Sequence, residues 1–428
     1  MRKSGITLEN VKYRNKAAIL ALLQKQGAMS RKDIAAQIGL TPAAVTMLCN
    51  TMIEDNIIVE KGELQEEKRA GRRKVLVDIN YDCQCIVAVS IETEFTWLTI
   101  TNLKGTMLAA KKIATETGKA PEEFLKTIAG ESKILLWEAG KNASELLGMG
   151  VCIPGIVNRG QGISIRAYGI WNEAVPVGRI MEESMKCPVI VENNVKAFAE
   201  GELLYGAGKK GDDLLFIKWG PGVGSAIVIA DELYEGHHHN AAEIGHYIIE
   251  PGGIPCRCGR RGCLETRISI PAIVDRIQNV YSKESTPLLY QYTEGQKERI
   301  TEELFMEWVE KSDCTGEIDE SVYKIFQAAG DRLARVVVNA MTILAPDHTI
   351  LFGPMLENDV ICRIFMECCR RYDERYTEGY IQKSKLSKKI SYIGAAALVA
   401  RTCFFETGDV EKTDKKSGQS QDRGSHEK

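Results

Sequence analysis

Glu243-Ile244-Gly245-His246 and, ten residues after the histidine, Cys256-Arg257-Cys258-Gly259-Arg260-Arg261-Gly262-Cys263-Leu264-Glu265 decide how this chain is read. Thiolate and imidazole are the donors that Zn²⁺ takes in closed tetrahedral sites, and Gly259 and Gly262 let the loop fold back until all three sulfurs reach one ion. A structural zinc held by His246, Cys256, Cys258 and Cys263 is therefore expected. The alternatives are three buried free cysteines or a disulfide framework. A loop so rich in Gly and Arg is a poor place to bury apolar sulfur. Thirteen cysteines scattered through 428 residues, odd in number and with no secretory signal ahead of them, argue against disulfides.

Outward from this loop, the length allows two or three domains with their own cores. A net charge of −3 gives no overall pull toward nucleic acid or membrane, so any such partner must meet a local patch. No apolar run approaches the roughly 18 to 20 residues of a spanning helix, and Met1-Arg2-Lys3-Ser4-Gly5 is not followed by a signal-peptide core. A cytoplasmic protein without a membrane partner is expected. The polar stretch 406–428 reads as a disordered tail, and Lys283 to Glu320 as helices joined by an irregular connection.

Charge is segregated along the chain. Residues 1–75 carry fourteen Lys and Arg against eight Asp and Glu, a local surplus of +6. Within them, Ile19, Leu20, Leu22 and Leu23 predict a helix over Lys16 to Gln26, which Gly27 stops. Ser30, with Asp33 three residues on, caps a second helix from Arg31 to Ile38 that ends at Gly39. Thr41 caps a third, with Pro42 in its first turn, running to about Asp55. Ile57 to Glu60 and Lys74 to Val77 then read as a hairpin with Gly71-Arg72-Arg73 near its tip. These are the parts of a winged helix-turn-helix, whose second motif helix enters the major groove. Arg31, Lys32, Arg72 and Arg73 are expected at phosphates. The candidate recognition helix has no Lys or Arg, so base readout falls to Thr41, Thr46, Asn50 and Thr51. A plain three-helix docking module shares the periodicity and stands as the alternative.

From Asp82 onward strands alternate with helices, as in an α/β domain: Cys85 to Ser90, Phe95 to Asn102, Gly148 to Ile156 broken by Pro154-Gly155, Val189 to Glu192, and Leu214 to Lys218. Gly220-Pro221-Gly222-Val223-Gly224 joins Leu214 to Lys218 to another strand, so it is not the glycine fingerprint of dinucleotide folds, which must open a helix. His237-His238-His239 has no spaced partner and reads as a solvated loop.

The Cys-x-Cys-Gly-x-x-Gly-Cys-x-Glu loop at 256–265 and the preceding Glu243-Ile244-Gly245-His246 resemble the ROK family of repressors, open reading frames and sugar kinases. Ile153-Pro154-Gly155, Trp171-Asn172, Glu192-Asn193-Asn194 with Gly201-Glu202, and Ala345-Pro346 before Ile350-Leu351-Phe352-Gly353 extend the match from about residue 10 to residue 405. The resemblance implies an α/β body of the actin-like ATPase (ribonuclease H-like) fold, two lobes about a cleft, over residues 79–405. The winged helix-turn-helix over residues 1–78 matches the family's repressor branch. By the same resemblance, Asn172, Asn193, Glu243, His246 and Glu265 hold sugar hydroxyls, and His246 serves metal and cleft through its two ring nitrogens. The alternative for Asn172, Glu243 and Glu265 is that they simply face solvent and bind nothing.

Kinases of the family carry an Asp-x-Gly-Gly-Thr turn whose bare backbone meets phosphate. The matching stretch here is Ser90-Ile91-Glu92-Thr93-Glu94, with both glycines gone and two carboxylates where ATP would bring negative charge. The family's catalytic Asp falls at Asn194, which cannot take up the proton, though it can still bond a hydroxyl. A late Gly-Gly is Gly353-Pro354. No enzyme activity is expected. The implied protein is a sugar-responsive transcriptional regulator, a repressor, whose partners are operator DNA, a sugar or sugar phosphate, and further copies of itself as a homodimer or homotetramer. An ATP-dependent sugar kinase with an added DNA-binding head is the alternative, and a scaffold that binds no DNA is a third reading.

Overall fold

The structure, a computed structural model, describes residues 8–63, 75–206, 211–376 and 379–408. The head opens with α1 (Leu8–Gln26), β1 (Met29–Ser30), α2 (Arg31–Ile38) and α3 (Pro42–Glu54), and closes with the wing strands β2 (Ile58–Glu63) and β3 (Val75–Ile79). Local chemistry sets the turn. Ser30 accepts from the Asp33 amide, Gly39 takes the left-handed conformation at φ 71°, and Thr41 accepts from the Ala44 amide. Ile19, Leu20, Leu23, Ile34, Val45, Leu48 and Met52 close the core between the three helices.

α1 begins at Leu8, well before the predicted Lys16. A contact distant in sequence reaches the added turns, where Gly408 abuts the Tyr13 carbonyl, and at the predicted start Lys16 Nζ lies 3.1 Å from Asp55. Glu406 to Gly408, read from sequence as the start of the tail, are thus ordered, Gly408 packing beside α1 and Glu406 pairing with Arg401, while 409–428 lie outside the described residues.

Lobe one comprises β4 (Cys85–Ile91), β5 (Phe95–Asn102), β6 (Met107–Ala114), α4 (Pro121–Glu138), β7 (Leu146–Ile153), β8 (Ile156–Asn158), β9 (Ile163–Arg166), α5 (Val177–Met185) and β10 (Val189–Asn193). Its sheet runs β10-β7-β4-β5-β6, parallel across β10-β7-β4 and antiparallel beyond. The unbroken apolar run of β4 is buried at every position, as a central strand covered on both faces requires.

α6 (Asn194–Tyr205) leads to lobe two: β11 (Leu214–Trp219), β12 (Val223–Ile229), β13 (Glu232–Leu233), α7 (Glu265–Ile268), α8 (Ile270–Val280), α9 (Pro287–Tyr292), α10 (Glu302–Thr315), α11 (Glu320–Leu344), β14 (His348–Phe352), α12 (Pro354–Glu357), α13 (Asp359–Tyr372) and β15 (Ile381–Lys383). The second sheet runs β13-β12-β11-β14-β15. α14 (Ile393–Ala400) follows, continued by a π-helical turn, Arg401–Phe405. α6 and α14 lie between the two sheets, packing Phe198 and Ile393 against Ala88 and Cys152 of lobe one and Phe216 and Phe352 of lobe two. Two α/β lobes are the architecture expected from sequence; the central helix pair that joins them is added by the structure. Among the described residues no helix is long and apolar enough to cross a membrane.

Candidate functional site

The four side chains read as metal donors come together. Nδ1 of His246 stands 3.5 Å from Sγ of Cys256, Sγ of Cys258 stands 3.6 Å from Sγ of Cys263, and all four donor atoms lie within 4.8 Å of one another. Sulfurs at about 2.3 Å from a tetrahedral zinc stand about 3.8 Å apart, so this spacing accepts one ion with little movement. Backbone bonds from Cys256 to the Arg260 carbonyl (2.8 Å) and from Gly262 to the Ile254 carbonyl (2.8 Å) shape the loop. Gly262, at φ 74°, has no room for a side chain, since a Cβ there would meet the Glu250 carbonyl oxygen at 1.7 Å. Arg166 of lobe one donates to the Arg257 carbonyl (3.1 Å) and so ties the loop across the cleft. Burial lowers the His246 pKa and favours the neutral ring that a metal needs.

Nε2 of His246 points the other way, 3.7 Å from Glu243, while Tyr168 meets the ring edge-on at 5.0 Å. They line a cleft of about 540 Å³ between the lobes. Burial pushes the Glu243 carboxyl up to about 7, which lets it donate as well as accept near neutral pH. Glu265 is anchored by the Val223 amide (3.0 Å) and faces Arg257 at 3.6 Å. On the opposite wall Asn194 donates to Glu92 (3.0 Å), and Lys218 stands 3.6 Å from the same carboxylate oxygen. The Glu92 turn is thereby pinned in the cleft.

Two predicted sugar contacts are placed differently. Asn193 lines the cleft, but its oxygen caps α6 through the Val195 and Lys196 amides (2.9 and 3.2 Å) and its nitrogen donates to the Gly155 carbonyl (2.7 Å). Its amide is largely committed to holding the strand-to-helix turn. Asn172 is exposed and does not line the cleft, because the turn after Trp171 directs it to solvent beside Glu173. Sequence reading missed Phe95, Trp97, Lys112, Tyr168, Lys218 and Glu302, all of which line the cleft. Only the fold gathers them, although strand alternation puts Phe95 and Trp97 on one face. The three-histidine run lies in a loop, with His239 3.0 Å from Glu235.

Behind the cleft Glu192 is buried beside Lys196, Arg159 and Glu235, with Oε1 accepting from the Asn193 amide and Oε2 without a partner among the described residues. Burial pushes its pKa up to about 7. Its protonated form suits the fold, so its contribution is full below the unfolded value of 4.5 and is lost as pH rises through about 7. Glu192→Gln copies the protonated state. Between about pH 5 and pH 7.5 the wild type should therefore lose about 2 kcal/mol of unfolding free energy relative to the variant. Urea denaturation at the two pH values measures this; parallel profiles would contradict it.

In the head, Thr46 and Asn50 are exposed on α3, as is Met47, an apolar neighbour suited to a thymine methyl that sequence reading passed over. The Thr46 and Thr51 hydroxyls donate to the Pro42 and Met47 carbonyls (2.7 and 3.1 Å), leaving their lone pairs outward. Thr41 is committed to its cap. Lys32 is exposed, whereas Arg31 pairs with Glu60 of the wing at 2.8 Å. Arg72 and Arg73 lie outside the described residues.

Residues 3–59 match winged helix-turn-helix DNA-binding domains, and residues 86–402 match the ROK family. The chain is 26% identical to the DNA-binding transcriptional dual regulator NagC of Escherichia coli strain K12 over 401 residues, covering 91% of this chain and 93% of that protein. It is 26% identical to the xylose repressor of Bacillus subtilis over 273 residues, 64% of this chain and 70% of the repressor. A solved ROK family transcriptional regulator, a homologue of the Escherichia coli MLC protein, superposes with a TM-score of 0.74 at 23% identity, covering 94% of this chain and 98% of that one. The Streptomyces griseus ROK glucokinase, solved with glucose and AMPPNP, superposes with a TM-score of 0.61 at 23% identity over 73% of this chain and 98% of its own. The regulator thus superposes on nearly the whole chain and the glucokinase on about three quarters of it. With a matched body of 317 residues behind a matched DNA-binding head, this chain belongs to the ROK family.

Proposed function

We propose that the protein is a sugar-responsive DNA-binding repressor of carbohydrate-metabolism genes, with residues 1–78 as its DNA-binding domain and 79–405 as a ROK effector body that no longer transfers phosphate. The observation that carries this is the Asn194–Glu92 pair. An amide occupies the catalytic-base position, and it holds a carboxylate in the turn that would have to admit phosphate. Relatives named as repressors support the same reading.

In this reading Asn194, Glu243, His246 and Glu265 bond sugar hydroxyls, Asn193 positions α6, and Asn172 stays outside the site. The ion at His246, Cys256, Cys258 and Cys263 is zinc, bound structurally. It fixes the ring of His246 so that Nε2 faces the ligand. Lys32, Arg72 and Arg73 meet phosphates, and Thr46, Asn50 and Thr51 face the bases. Two heads in a homodimer, or in a homotetramer, read a palindromic operator.

Two assays test this. Purified protein with ATP and a panel of hexoses and pentoses should give no sugar phosphate above background. Turnover that Asn194→Ala abolishes would establish a kinase with an added head instead. Duplex DNA from the region upstream of the gene should be retained in a gel shift, with binding that weakens as salt rises. Arg72→Ala and Arg73→Ala should each lower the salt slope by about 0.9. Salt-independent or absent retention would mark the head as a docking module.

A further inference from the structure

Two helices connect the cleft to the head. α6 starts at Asn194 in the cleft and, over 12 residues, carries its other end about 18 Å away. There the Leu204 carbonyl accepts from Gln24 of α1 at 2.5 Å. α14 packs backbone to backbone on α6: a Cβ at Gly394 would lie 2.6 Å from the Ala197 carbonyl carbon. The π-helical turn that continues α14 buries Phe404 and Phe405 in the core of the head with Ile19, Leu20 and Leu23. Such turns often mark functional positions in helices.

Glu200 sits where these parts meet, 3% exposed. One carboxylate oxygen takes Nη1 of Arg159 at 2.7 Å and the other takes Nη1 of Arg401 at 2.5 Å. Arg159, from the connection between β8 and β9, also reaches the Thr402 hydroxyl at 3.4 Å, and Arg401 reaches Glu406 at 3.0 Å. One carboxylate therefore joins lobe one, α6 and the helix that enters the head. A buried ion triad adds little net stability over apolar packing, and its best-attested use is to fix one register among alternatives.

We infer that Glu200 is a positioning residue that couples the cleft to the DNA-binding head. It holds α6 and α14 in register with Arg159 and Arg401, so that a shift of the Asn194 end on ligand binding reaches α1. This rests on the reading of the cleft as an effector site and of the head as DNA-binding.

The test measures DNA affinity of the full-length protein by fluorescence anisotropy, using the upstream duplex with and without D-xylose, N-acetylglucosamine and their phosphates. The active sugar should change wild-type DNA affinity about tenfold or more. Glu200→Gln and Gln24→Ala should keep sugar affinity and sugar-free DNA affinity to within about threefold, yet respond to that sugar by less than about twofold. Glu200→Asp should restore part of the response. A Glu200→Gln protein with a lowered melting temperature but an undiminished sugar response would reduce Glu200 to a structural role and overturn the inference. Should that variant not fold, Gln24→Ala carries the test, and an undiminished response there overturns it equally. A wild type that binds DNA but ignores every sugar overturns the effector reading itself, a different result from a responsive wild type with responsive variants.

Discussion

Cys263→Ala should lower bound zinc from about one equivalent per chain to a small fraction and the melting temperature by on the order of 10 °C. Cys263 is wholly buried and pairs at 3.6 Å with Cys258, so its loss opens the donor set at its least replaceable corner. Beyond the Arg166 bonds across the cleft, the loop is held by backbone bonds within itself and to residues 247–250, with Gly259 and Gly262 in left-handed conformations. Released, the loop frees His246, and Glu243 and Glu265 lose the neighbour that orders the cleft wall. Elemental analysis with differential scanning fluorimetry, before and after chelation, measures the effect. A metal-free wild type that melts with the metal-loaded protein would refute the ligand assignment.

Gly394→Leu should cost at least about 3 kcal/mol, the upper range for overpacking a tight interior. Any side chain at this position meets the backbone of Ala197 and Phe198 at 2.6 to 2.7 Å, and backbone cannot rotate away as a side chain can. α6 and α14 must separate, and both sheets rest on that pair. Urea unfolding of wild type and variant gives the difference directly; an unchanged midpoint would mean that the two helices do not pack as described.

The head was legible because its signals are local. Ser30, Gly39, Thr41 and Pro42 each act within one turn, and α2 and the start of α3 fall where those residues put them. The start of α1 was not legible, since Gly408 packs against it at Tyr13 from the far end of the chain. The gathering of His246, Cys256, Cys258 and Cys263 was legible for the same local reason: three cysteines within one loop can meet in few ways. The cleft is assembled by tertiary structure from β4, β5, β6, α6, β11 and α10, so Lys218, Trp97 and Glu302 carried no sequence signal of their neighbours. Asn193 shows the limit of reading polarity as binding. A polar side chain between a strand and a helix is also what an N-cap requires, and here the cap takes most of its bonding capacity.

A sugar entering the cleft should change how the head holds DNA. Titrating the panel of sugars and sugar phosphates into the preformed complex of the full-length protein with its upstream duplex tests it most directly. One sugar should shift the DNA dissociation constant by about tenfold or more, and Glu243→Ala should abolish that shift without abolishing DNA binding. A complex that forms at low salt and stays unchanged by every sugar would contradict the account.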